Sequence, residues 1–145
     1  MKVLLTTLNS KYVHSNLALK YLYSKVKKLD LGLDMTHFEY TINNDKSYVY
    51  TEILRGGYDL VCFSCYIWNI EQIKELGENL KKACPQMKIL LGGPEVSHET
   101  YALMEANPWI DYVLRGEGEG PFSAFCQTLA SGSFDFSAVE GMSFR

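Results

Sequence analysis

Strand-length segments alternate with helix-length stripes along this chain, and that alternation constrains its fold more than any single motif. Lys2–Thr7, Asp59–Cys65, Met87–Leu91 and Ile110–Leu114 are apolar runs of the kind found in strands covered on both faces, and Asp34–Tyr40 alternates weakly. Between them Ala18, Tyr21, Leu22, Val26 and Leu29 recur at helical spacing. So do Val49, Tyr50, Ile53 and Leu54, and then Ile70, Ile73, Leu76, Leu80 and Ala83. Ser15 is expected to cap the first helix, Gly56-Gly57 to stop the second and Pro85 to end the third. Ser97 is expected to cap a short fourth helix reaching Ala106, with Glu99 in its first turn. Pro121 suits the first turn of a last helix reaching Ala130. Each strand-to-strand interval fits a right-handed crossover. The expectation is a three-layer α/β/α sandwich around a five-stranded parallel sheet, flavodoxin-like (Rossmann-like), in the order 2-1-3-4-5.

A length of 145 residues, 47% hydrophobic and 21% charged, suits one compact soluble domain with a full core. A net charge of −3 gives no reason to expect nucleic acid or an anionic membrane surface as a partner. The apolar runs are too short to span a membrane, and the opening MKVLLTTLN reads as a first strand, not a signal peptide; the expectation is a cytoplasmic protein. Residues 1–131 are expected to form the domain. Residues 132–145 read as a linker toward a C-terminal domain, ending in the start of another strand.

Of the cysteines, at 62, 65, 84 and 126, Cys62 and Cys65 form a CxxC, but it lies in and just beyond a strand. Residues three apart on a strand face opposite ways and chelate a metal poorly, so these thiols read as small core residues in a reducing compartment.

In a parallel sheet the loops that follow the strands share the carboxyl edge, where open α/β folds bind ligands. LVCFS ends in Ser64, KILL runs into Gly92 and Gly93, and DYVL runs into Gly116-Glu117-Gly118-Glu119-Gly120. Ser64 offers its hydroxyl either to a ligand heteroatom or to a neighbouring loop amide. Gly92-Gly93 admits either a tight turn or close approach of a ligand to the backbone. A glycine-rich loop opening a helix ordinarily attracts phosphate, yet Glu117 and Glu119 repel an anion. Carboxylates there either accept hydrogen bonds from hydroxyls or amides, or face solvent. His14, between the first strand and first helix, is either a metal ligand on the same rim or a capping residue. The spacing GxGxG after the last strand is not a dinucleotide fingerprint, and neither a Walker motif, HExxH nor a nucleophile elbow occurs.

The segments LNSKYVHSNLALKYL, YDLVCFSCYIWN, ILLGGPEVS and DYVLRGEGEGPF, with the closing EGMSFR, span nearly the whole chain. Together they resemble the N-terminal cobalamin-binding domain of cobalamin-dependent radical SAM proteins, a group of methyltransferases and of enzymes of the magnesium-protoporphyrin monomethyl ester cyclase type. The resemblance implies a corrin ring across the carboxyl edge and a nucleotide tail running down between sheet and helices. Ser64, Gly92 and Gly93 would flank that tail, with Gly116, Glu117 and Gly118 beside it.

Cobalamin domains of the methionine synthase type carry Asp-x-His-x-x-Gly after the first strand, whereas Tyr12–Leu17 here keeps only the histidine. The resemblance therefore implies base-off cobalamin without histidine on cobalt, His14 being the one side candidate. The four cysteines cannot supply CxxxCxxC, so a 4Fe-4S cluster and S-adenosylmethionine are expected only in a following domain. On this reading the chain binds cobalamin and its own C-terminal domain but catalyses nothing alone. The alternatives are a flavin- or nucleotide-binding module, and a degenerate interaction domain whose rim is filled by Tyr66 and Trp68.

Overall fold

A computed structural model describes residues 1–11 and 15–145. The chain runs β1 (Lys2–Asn9), α1 (Leu17–Lys28), β2 (Asp34–Thr41), α2 (Lys46–Gly56), β3 (Leu60–Ser64), α3 (Ile70–Ala83), β4 (Lys88–Gly92), a 3-10 turn over Pro94–Val96, α4 (Thr100–Ala106), β5 (Tyr112–Leu114), α5 (Glu119–Ala130) and β6 (Met142–Phe144). The sheet order is β2-β1-β3-β4-β5-β6. Strands β1 to β5 are mutually parallel, and β6 pairs antiparallel with β5. The expected flavodoxin-like order 2-1-3-4-5 is present, extended at one edge by the short sixth strand.

The period of two along each strand explains why the central strands are apolar throughout. Val61 and Phe63 face one core with Ile89, Leu91 and Val113, under Val49 and Ile53 of α2 and Ile73 and Leu80 of α3. Leu60 and Cys62 face the other with Leu90, Tyr112 and Leu114, under α1 (Leu19, Val26) and α5 (Phe122, Phe125, Leu129). Burying each large side chain stabilises the fold by roughly 1.5–3 kcal/mol, so both helical layers are firmly seated. Cys62 and Cys65 accordingly lie in opposite cores, as free thiols. Burial pushes both thiols up, and pushes Cys126 up to about 12.

Two caps differ from the sequence expectation. Asn16, not Ser15, caps α1, its Oδ1 accepting from the Leu19 N–H at 3.0 Å, while Ser15 Oγ receives Lys20 Nζ. Ser97 does not cap α4, because the intervening 3-10 turn delays that helix. Its start is Glu99, in the left-handed region at φ 51°, and no side chain caps it. The expected stop of α2 is at Gly57, left-handed at φ 62°, and Pro121 lies in the first turn of α5. In the closing segment Phe136 and Val139 are buried in the second core, with the Phe136 ring 5.2 Å from Tyr112 and 4.9 Å from Phe125. Its last residues form β6, the further strand foreseen there. No helix among the described residues is long and apolar enough to cross a membrane.

Candidate functional site

Register aligns the rim. Ser64 of β3 pairs with Gly92 of β4, and Gly92 pairs with Leu114 of β5, so these three form one row at the carboxyl edge. Two residues back, Leu5, Cys62 and Leu90 form the next row on the same face. Both rows floor a cleft of about 610 Å³, roofed by Ala18, Leu19 and Leu22 of α1 and Phe122 of α5. The cleft is therefore a slot between the sheet and the α1/α5 layer, opening at the ends of the strands. Its depth is apolar. Its polar side chains, Ser64, Tyr66, Ser97, Glu117 and Glu119, all stand at the mouth.

The structure brings Ser64, Gly92, Gly93, Gly116, Glu117 and Gly118 together along this one slot. His14 lies outside the described residues. His37 is on β2, its Nε2 2.9 Å from Glu39 Oε2, and His98 is exposed. Among the described residues no group of three or more His, Cys, Asp or Glu side chains is placed to hold a metal ion.

The glycines fall into two kinds. Gly93 has φ 100°, and a Cβ on it would meet the Cys65 carbonyl oxygen at 2.5 Å and nitrogen at 2.9 Å. Its missing side chain is thus required by the protein itself, where the Cys65 N–H donates to the Gly92 carbonyl at 2.7 Å. At Gly92 a Cβ would meet only the Leu114 carbonyl oxygen at 3.7 Å, and at Gly118 only Leu22 and Leu114 side-chain atoms from 3.7 Å outward. The absence of side chains at these two positions leaves free volume in the slot.

Ser64 Oγ makes no hydrogen bond among the described residues, although its carbonyl accepts from Thr7 Oγ1 and Asn69 Nδ2. Among the described residues no loop amide donates to its hydroxyl, and Ser64 lines the slot. Tyr66 and Trp68 do not fill the slot. Their rings stack on each other, 4.6 Å apart and 2° from parallel, and Trp68 is half exposed.

Sequence reasoning missed Ser97 as a bridge. Its Oγ donates to the Gly93 carbonyl at 2.9 Å and accepts from the Gly116 N–H at 3.1 Å, tying together the two glycine loops that form the mouth. A serine following Gly-Gly-Pro signalled only a helix cap, and its partner lies 19 residues further on.

The fold and this slot define a doubly wound domain with a largely apolar cleft at the carboxyl edge of its sheet. The family model described as the B12 binding domain matches residues 3–126, and the chain belongs to that family. It is 32% identical, over 87 residues (60% of this chain and 13% of the relative), to the cobalamin-dependent radical SAM methyltransferase TokK of Streptomyces tokunonensis.

Among solved structures, OxsB, a cobalamin-dependent S-adenosylmethionine radical enzyme with aqua-cobalamin and S-adenosylmethionine bound, aligns with TM-score 0.80 and 16% identity. The alignment covers 99% of this chain and 20% of that one. TsrM of Kitasatospora setae, a radical S-adenosylmethionine methyltransferase, aligns with TM-score 0.76 and 19% identity, over 97% of this chain and 28% of that one. At such identities these two likenesses concern the fold. The chain spans about an eighth of the length of TokK and between a fifth and three tenths of the two solved chains.

Proposed function

We propose that this chain is the cobalamin-carrying module of a radical SAM methyltransferase, holding the cofactor's nucleotide tail in the slot and its corrin ring across the mouth. The observation that carries this reading is the match between slot and ligand. The slot is walled by aliphatic and aromatic side chains, kept open by Gly92 and Gly118, and polar only at its mouth. That arrangement suits a flat apolar base below and a ring bordered with carboxamides above. When bound, cobalamin supplies a cobalt centre that accepts and passes on a methyl group.

The chain's own residues bind and orient. Ser64 Oγ, without a protein partner among the described residues, meets a heteroatom of the tail. The Glu117 carboxylate accepts from a ribose hydroxyl or a carboxamide N–H. The Ser97 bridge sets the spacing of the two loops. Similarity to TokK favours methyl transfer over cyclase-type chemistry in the parent enzyme. The 4Fe-4S cluster and S-adenosylmethionine belong, on this reading, to a separate domain.

The test is a titration of the purified chain with hydroxocobalamin and, in parallel, with flavin mononucleotide, each followed by gel filtration and absorption spectroscopy. Cobalamin co-eluting with the protein, with flavin lost, is the expected result. Flavin retained in place of cobalamin, or neither retained, would overturn the reading.

A further inference from the structure

Resting on the cobalamin reading above, we propose that Tyr66 is a specificity-determining hydrogen-bond donor to the bound cofactor, and that Asn16 is the positioning residue that keeps its proton free for that task. The argument is one of donors and acceptors. Asn16 is buried at the start of α1, and the Leu19 N–H points at its side chain at 3.0 Å. An N–H can only donate, so the amide oxygen of Asn16 must face it. The Asn16 Nδ2 then faces the Tyr66 hydroxyl at 2.9 Å, and since an NH₂ can only donate, the phenol oxygen accepts. The phenolic proton is left pointing elsewhere, and no acceptor among the described residues takes it. Tyr66 lines the slot.

The donor is also held still. The Tyr66 N–H donates to Asn69 Oδ1 at 2.8 Å, and its ring lies flat on Trp68. Asn69 is buried and donates to Thr7 Oγ1 and to the carbonyls of Leu8 and Ser64. Asn16 is fixed in turn by Glu39, whose Oε1 accepts from the Asn16 N–H at 2.5 Å and from Asn9 Nδ2 at 2.9 Å. A phenol anchored at its backbone, ring and oxygen gives up little further freedom on bonding a ligand. It donates to an oxygen of the cofactor, either a carboxamide carbonyl of the corrin or the phosphate of the nucleotide loop.

The experiment measures the affinity of the chain for hydroxocobalamin and for cobinamide, which lacks the nucleotide loop, in the wild type, Tyr66→Phe, Asn16→Asp and the double variant. Tyr66→Phe is expected to weaken cobalamin binding roughly three- to tenfold. Asn16→Asp still caps Leu19 but draws the phenolic proton to its carboxylate. It should therefore match Tyr66→Phe in cobalamin affinity while the protein stays folded, as a melting curve verifies, and the double variant should bind no more weakly than either single one. A penalty that persists with cobinamide assigns the acceptor to a corrin carboxamide; one that disappears assigns it to the phosphate.

Unaltered affinity in Tyr66→Phe, or penalties that add in the double variant, would overturn the inference while leaving the cobalamin reading in place. A wild-type chain that binds no hydroxocobalamin would overturn both. If Asn16→Asp loses its fold, Tyr66→Phe with the two ligands decides alone.

Discussion

Gly93 packs directly on the backbone of Cys65, leaving no room for a Cβ between the turn after β4 and the turn after β3. The Cys65 N–H donates to the Gly92 carbonyl, so this approach is continuous with the pairing of β3 and β4. Of the adjacent glycines, one therefore serves the fold and the other faces space that a ligand can use. The sequence shows both as the same Gly-Gly pair.

Gly93→Ala combines a positive φ with a backbone collision, and is expected to destabilise the protein by about 2–3 kcal/mol. Urea unfolding followed by circular dichroism measures it. A variant with a wild-type midpoint would refute the packing role assigned to Gly93.

Gly92→Val and Gly118→Leu put bulk into the slot without a backbone collision. Each is expected to lower cobalamin affinity about tenfold or more while changing stability by less than about 1 kcal/mol. Equilibrium titration beside a melting curve separates the two effects. Wild-type affinity in both variants would place the tail outside the slot.

Ser97→Ala removes the donor to the Gly93 carbonyl and the acceptor of the Gly116 N–H together. A loss of roughly 1–2 kcal/mol is expected. Exchange of the Gly116 amide with solvent should accelerate, while amides in the centre of β3 slow or quicken only with global stability. Unchanged exchange at Gly116 would remove Ser97 as the bridge.

Stability should fall at alkaline pH. Burial raises Cys126 from its ordinary 9.0 to about 12, and raises Cys62 and Cys65 as well. Burial, then the nearby Glu52 carboxylate, raises Tyr40 from 10.0 to about 12. The folded values lie above the unfolded ones. The unfolded chain thus loses these protons first, and the stability present below pH 9 diminishes as pH rises from about 9 toward 12. Urea midpoints measured from pH 7 to 11 test this, and a midpoint that stays level above pH 9 would contradict it.

The strands, the helical stripes and the parallel sheet were legible in the sequence because they rest on local periodicity. Leu60–Phe63 can be wholly apolar only if covered on both faces, and the alternation with helices leaves a doubly wound sheet as the simple solution. The convergence of Ser64, Gly92, Gly93, Gly116, Glu117 and Gly118 on one rim follows from the same reasoning, since parallel strands end on the same edge. Tertiary structure decided the rest, because each remaining feature joins residues distant along the chain. Such features are the collision that Gly93 avoids with Cys65, the Ser97 link to Gly116 and the Asn16 amide beneath the Tyr66 phenol. Periodicity reports which face a side chain takes; only the packed chain reports which partner it meets there.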